Sequence, residues 1–274
     1  DGAQSIIIDP TITNALIYPN SAPYSSLKEL DLRATTITTF ENSFNLANYV
    51  NVPSPSVLRL PSATNTPIAS GHMNYNSLTG LSLLDVSSLN LTNEQVGFFT
   101  NYNNGKVINV IDINDLTESS LAERWKEKTS FNVFSPKTPS AGNPTEIKVY
   151  VKNVSSLDLA NNASGYVNVV LSADKGTVND QNTMTTLMKK VNEITGITNL
   201  ILAKVGLYNG NMNFDLSALT NKSVARIILP DYQDIDIITN APHKPILQVY
   251  NTKYIGFGTE SKNVEIIKVT NSGD

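Results

Sequence analysis

One aliphatic spacing returns along this chain and constrains its fold more than any other feature. It reads Leu27-x-x-Leu30-x-Leu32, Leu81-x-x-Leu84-x-Val86, Ile108-x-x-Ile111-x-Ile113, Val154-x-x-Leu157-x-Leu159, Ile197-x-x-Leu200-x-Leu202, Val224-x-x-Ile227-x-Leu229 and Val264-x-x-Ile267-x-Val269. The starts at 27, 81, 108, 154, 197, 224 and 264 lie 54, 27, 46, 43, 27 and 40 residues apart. Each step is one or two units of about 20–29 residues. A unit of that length makes one short strand, turns, and returns along another face. Positions 1, 4 and 6 of the spacing point inward, and one unit cannot bury that stripe without its neighbours. Stacked strands would run parallel at about 4.8 Å per unit.

Degenerate copies fill the double steps. Pro55-x-x-Leu58-x-Leu60 divides the first, Lys244-x-x-Leu247-x-Val249 the last, and Phe131-x-x-Phe134 the second, with Pro136 inside the strand. Tyr166–Leu171 reads as a strand of open register. Three stretches between strands read as helices: Leu91–Phe99 behind a Thr or Asn cap, Leu116–Trp125, and Gln181–Ile194 ended by Gly196.

On these residues the chain resembles the irregular leucine-rich repeat proteins of bacterial secreted and cell-surface type. Thr35-x-Ile37 continues the family pattern, whereas the asparagine ladder is mostly replaced, as at Leu89, Val205 and Tyr232. The resemblance implies an α/β repeat solenoid: a leucine-rich-repeat horseshoe with parallel strands on the concave face and helices or irregular turns on the convex face. Residues 1–26 would be an N-terminal capping strand and loop, with Ser5–Asp9 as the strand. Residues 27–274 would be the solenoid, with a Pro-rich excursion at 129–146.

Composition narrows the function classes. Of 274 residues 40% are hydrophobic and only 16% charged, so Asn, Ser and Thr carry the polarity. Net charge is −4 without a Lys/Arg cluster, which argues against a nucleic-acid partner. The absence of cysteine removes disulfides, thiolate catalysis and Cys-ligated zinc. No apolar run approaches the roughly 20 residues of a spanning helix. The opening Asp1-Gly2-Ala3 reads as a mature or trimmed start. The resemblance, with the polar uncharged composition, implies an extracellular or cell-surface location, with a signal peptide removed and a lipoprotein anchor as a candidate. The last copy runs into a polar tail, which leaves an oligomer or a continuation open at the C-terminal edge.

Positions 3, 5 and 7 point away from the core and line the expected binding face. Position 5 reads Asp31, Arg59, Asp85, Asp112, Asp158, Ile201, Ile228, Gln248 and Lys268. Position 3 ends on Ile246 and Ile266, with Tyr250 at position 7. A first half of stacked aspartates would raise one another's pKa and suit a cation or sugar hydroxyls. Its counter-reading is a solubility ladder balanced by Arg33 and Arg59. The aliphatic second half reads either as an interface or as ground covered by a loop.

Catalytic and cofactor patterns are not found. His72 and His243 lie outside any HExxH spacing, Asp231-x-x-Asp234-x-Asp236 and Asp112-x-Asn114-Asp115 lack the EF-hand Gly and Glu, and no phosphate-cradling loop occurs. The sequons at Asn90, Asn153, Asn162 and Asn221 read as accidents of an Asn-rich chain. The expectation is a non-catalytic binding or adhesion protein without cofactor or metal, engaging a protein or glycan on the strand face. Two alternatives stay open. One is a carbohydrate-active enzyme on a parallel β-helix using Asp85, Asp112 and Asp158. The other is a structural or assembly subunit pairing through its open end.

Overall fold

The computed structural model describes residues 5–7, 28–34, 36–39, 56–65, 80–101, 105–174, 176–178, 180–204, 211–230, 234–250, 252–258 and 265–269. Among the described residues the chain is an α/β fold of short parallel strands with few helices. It divides into two compact units, Asp1–Asn114 with Glu123–Val133, and Asp115–Ala122 with Phe134–Asp274. The boundary passes through helix α2 (Glu118–Trp125) and strand β8 (Phe131–Pro136). Among the described residues no helix is long and apolar enough to cross a membrane.

In the first unit β1 (Ser5–Ile7), β2 (Glu29–Asp31), β4 (Val57–Arg59), β6 (Leu83–Asp85) and β7 (Ile108–Ile111) pair in that order, all parallel. The strand expected near residue 5 is present. A second parallel pair, β3 (Thr36–Thr39) with β5 (Ser62–Asn65), lies on the return path, where helices or turns were expected. Helix α1 (Asn93–Gly97) follows β6. Its capping box explains why it starts there: Gln95 N donates to Thr92 Oγ1, and Thr92 N donates to Gln95 Oε1.

The inward rows follow the aliphatic spacing. Leu30, Leu58, Leu84 and Val110 share one row, and Leu32, Leu60 and Val86 another; all are buried. At the next strand the register is one residue earlier than Ile108-x-x-Ile111-x-Ile113 suggests. Asp85 pairs with Ile111, so Asp112 continues the inward row beyond Val86. A slip of one residue moves every side chain to the other face.

In the second unit β9 (Glu146–Val151), β10 (Asn168–Ala173), β11 (Asn199–Lys204), β13 (Arg226–Leu229), β15 (Ile246–Tyr250) and β17 (Ile266–Val269) pair in order and in parallel. Ile147, Val169, Leu200, Ile227 and Leu247 form the buried row. The copy at 154 is not a strand. Val154 and Leu157 are buried in a turn, and Leu159 opens the short helix α3 (Leu159–Asn162). Residues 131–136 are strand β8, which narrows the Pro-rich excursion to the segment after Pro136.

The return paths of this unit hold a helix and then strands. Helix α4 (Gln181–Asn192) occupies the expected segment, buries Met184, Leu187, Met188 and Val191, and starts where Asp180 accepts from Thr183 N. Then β12 (Asn211–Asp215), β14 (Asp234–Thr239) and β16 (Tyr254–Phe257) stack in a parallel sheet of their own. Their presence departs from a convex face made only of helices and turns. Ile235 and Ile237 alternate with Asp234 and Asp236, the period of strand and not of helix.

Two half-buried amides join the end of α4 to the segment after β12. Asn192 Oδ1 accepts from Thr220 N and Asn221 N, at 2.8 and 3.1 Å. Asn221 Nδ2 donates to the carbonyls of Val191 and Ile194, at 3.2 and 2.9 Å. These bonds satisfy the open carbonyls at the end of α4 and tie one turn of the chain to the next.

Candidate functional site

The outer strand face of the first unit carries a paired ion network. Asp31, Arg59 and Asp85 stand in one row, with Glu29 beside Arg59. Arg33 reaches Asp31 at 2.6 Å and Asp85 at 3.5 Å; Arg59 reaches Glu29 at 2.9 Å and Asp85 at 3.1 Å. Ser87 adds N–H and hydroxyl donors to Asp85 Oδ1, at 3.0 and 2.6 Å. An arginine separates the two aspartates, which replaces the expected column of mutually repelling carboxylates.

The electrostatic consequence has the opposite sign to that expectation. The Arg33 side-chain hydrogen bond holds the Asp31 carboxyl below its ordinary value, against the opposing effect of burial. A depressed folded-state pKa means that Asp31 contributes stability above its unfolded value and loses it as pH falls through the folded one. Arg33→Gln is expected to move the Asp31 carboxyl titration upward in an NMR pH series, with little change in global stability because Arg33 is exposed.

Asp112 and Asp158 do not belong to this face. Asp112 is fully buried on the inner side, where Arg124 Nε and Trp125 Nε1 donate to its Oδ2 at 3.0 and 2.7 Å, and Arg124 Nη2 to its Oδ1 at 3.1 Å. Asp158 is the N-cap of α3, accepting from Asn161 N at 3.1 Å. Each position looked outward because the spacing assigns every inward place to an aliphatic side chain.

The second unit brings the other candidates together as two adjacent rows. One runs Glu146, Asn168, Asn199, Arg226, Ile246. Its neighbour runs Lys148, Val170, Ile201, Ile228, Gln248. Val170 is buried, whereas Ile201, Ile228 and Ile246 are half-buried, so the aliphatic column is neither bare nor sealed. Ile266 lies level with Leu247 and not with Ile246, one residue from the expected register. The side chains of β17, Lys268 among them, lie outside the described residues, as do His72 and Asp231.

Hydrogen bonds fix the polar members of these rows. Lys148 Nζ donates to Glu146 Oε1 at 2.9 Å, and Asn199 Nδ2 to Asn168 Oδ1 at 2.8 Å. Arg226 Nη1 donates to Gln248 Oε1 at 2.5 Å, and Gln248 Nε2 donates to the Tyr250 hydroxyl. At the ends of β9 and β10, Lys152 lies 4.4 Å from the Tyr150 ring centre and 2.5 Å from Asp174, which also accepts from the Tyr150 hydroxyl. Burial first, then Asp174, pushes the Tyr150 phenol well above its usual range.

Sequence reasoning missed β9 and its Glu146–Lys148 pair because the strand lacks the leucine spacing. The alternation Ile147-x-Val149-x-Val151 is the signal that could have found it. Arg226 occupies position 3 of the copy that starts at Val224, and the spacing alone gives it no role.

A cleft by α1 is lined by Asn93, Glu94, Gly97, Glu123 and Lys126, among others. Its cations are committed: Arg124 to Asp112, Lys126 to Glu123, and Lys128 Nζ to the carbonyls of Gly97 and Phe99 at the end of α1. Among the described residues no three His, Asp or Glu side chains gather as a metal ion would need. Compared with protein-family models, with curated proteins and with solved structures, the chain matches none.

Proposed function

We propose that the chain is an irregular leucine-rich-repeat solenoid of the bacterial secreted or cell-surface kind, with its strands on the concave side of a horseshoe. In this reading it is a non-catalytic binding or adhesion protein that engages a protein or glycan through the outer strand face. The observation that carries it is the pair of register-aligned rows on the second unit. A column of hydrogen-bonding groups at Asn168, Asn199 and Arg226 runs beside half-buried aliphatics at Ile201 and Ile228. Rigid strands that hold polar and apolar groups side by side suit recognition of an extended partner. The uncharged polar composition supports an exported location.

The β-helix enzyme draws support from the stacked return strands β12, β14 and β16. Its three carboxylates do not converge, however: Asp85 is held by Arg59 and Ser87, Asp112 faces inward, and Asp158 caps a helix. The assembly reading draws on Ile238, Tyr254 and Phe257, exposed by 39, 57 and 49% on β14 and β16.

Biolayer interferometry against immobilised mucin, collagen and peptidoglycan tests the leading reading. At least one of them should be bound. Ile201→Asp with Ile228→Asp should weaken that binding at least tenfold while the melting temperature stays within a few degrees, and Lys189→Glu on α4 should leave it unchanged. Binding indifferent to the strand-face pair contradicts the reading. A concentration-dependent oligomer lost on Tyr254→Asp would favour assembly instead.

A further inference from the structure

The chain has four arginines. Three are saturated by carboxylates of the same chain: Arg33 by Asp31 and Asp85, Arg59 by Glu29 and Asp85, Arg124 by Asp112. Arg226 differs. Among the described residues its guanidinium meets the side-chain carbonyl of Gln248 and no carboxylate. It is half-buried on the outer row of β13. A guanidinium offers five N–H donors in a rigid fork, and a neutral amide oxygen engages one edge of it.

The surroundings aim that fork. Gln248 accepts from Arg226 through Oε1 and donates to Tyr250 through Nε2, and turning its amide over would lose the bond to Arg226, which can only donate. Glu146 and Lys148 pair with each other at the far end of the rows, and Glu265 stands level with Ile246 at the near end, two strands from Arg226. Ile201, Ile228 and Ile246 flank it. An arginine and a tyrosine set among aliphatics, with free charges scarce, is the composition of a protein-interface core.

We infer that Arg226 is the seat for an Asp or Glu side chain of a partner protein, held through a two-point fork, with aliphatic residues of the same segment on Ile201, Ile228 and Ile246. The inference rests on the strand-face reading and names the partner's chemistry. A uronate glycan would also bring a carboxylate, and Asn199 beside Arg226 could meet one of its hydroxyls, but the hydroxyls over Ile201, Ile228 and Ile246 would meet apolar side chains.

Selection of a fully randomised dodecapeptide library on the intact chain tests this, with polygalacturonate as the glycan arm. Selected peptides should concentrate Asp or Glu at one position beside aliphatic residues. Arg226→Gln should weaken them at least tenfold at an unchanged melting temperature, and Arg226→Lys should restore part of the loss, because an ammonium lacks the fork. No acidic preference, or equal binding to Arg226→Gln, overturns the inference. If those peptides still depend on Ile228→Asp, the strand-face reading survives; if they depend on neither change, both fail. Arg226-dependent binding of polygalacturonate without peptide selection overturns the protein partner, and binding of neither probe overturns the inference outright.

Discussion

Arg124→Met is expected to lower unfolding free energy by about 3–5 kcal/mol, because it strands a buried carboxylate. Asp112 has no exposure and Arg124 only 5%, so neither ion retains useful contact with water. Arg124 makes two of the contacts to Asp112 and also donates to Leu91 O and Asn93 Oδ1, both at 2.8 Å. Removing it leaves a charge that the inner row cannot solvate. The partner change Asp112→Leu should also destabilise, since it leaves a guanidinium in the same place. Combining Asp112→Leu with Arg124→Met should recover part of the loss, because a matched hydrophobic pair can replace a buried ion pair, while the Trp125 indole N–H still loses its acceptor. Urea denaturation of the three variants measures the coupling. Additive losses in the double variant would show that Asp112 does not stand in that row.

Trp125→Ala is expected to cost about 3–5 kcal/mol, the range for deleting a large aromatic from a core. The ring is fully buried, with centroids 5.3 Å from Phe99 and 5.3 Å from Phe131, which are themselves 5.8 Å apart. The indole N–H also donates to Asp112, so two effects act together. Trp125→Phe separates them. It keeps most of the apolar volume and removes one donor, for an expected loss of about 1–3 kcal/mol. Thermal unfolding followed by calorimetry distinguishes the two. A Trp125→Phe variant as unstable as Trp125→Ala would give the hydrogen bond far more weight than this geometry allows.

These two residues also show where the sequence was legible. The inward aliphatic rows at Leu30, Leu58, Leu84, Leu200, Ile227 and Leu247 could be read because each strand repeats the same burial problem with the same kind of side chain. The three expected helical segments were readable from a cap or a stripe: Thr92 for α1, the Met184–Val191 stripe for α4, and the run before Trp125 for α2, whereas the Asp180 cap of α4 was not read. Asp112 was misread because an inward aspartate is acceptable only when distant groups arrive to pair it. Arg124 and Trp125 come from the helix after the strand, and no local pattern announces that. Val154-x-x-Leu157-x-Leu159 matched the spacing because a turn, too, buries aliphatics a few residues apart. The strands at 211–215, 234–239 and 254–257 were missed because they lack the leucine spacing; Asp234-Ile235-Asp236-Ile237 alternates but reads equally as a solvated acidic turn, and Gly256 interrupts the third.

The candidate face was half legible for the same reason. Asp31, Arg59 and Asp85 could be placed in one row, but not the reach of Arg33 across to Asp85 that neutralises it. Ile201 and Ile228 could be aligned, but not the Gln248–Tyr250 hydrogen bond that orients Arg226.

The strand face as the binding surface is tested most directly by thiol footprinting, for which a chain without cysteine is a clean background. Single variants Asn199→Cys, Ile228→Cys, Ile238→Cys and Lys189→Cys would be labelled with maleimide, alone and with the bound macromolecule. Protection of at least tenfold at 199 and 228, with 238 and 189 unchanged, is the expected result. Protection at 238 with none at 199 and 228 would contradict it and move the binding surface to the β14–β16 sheet.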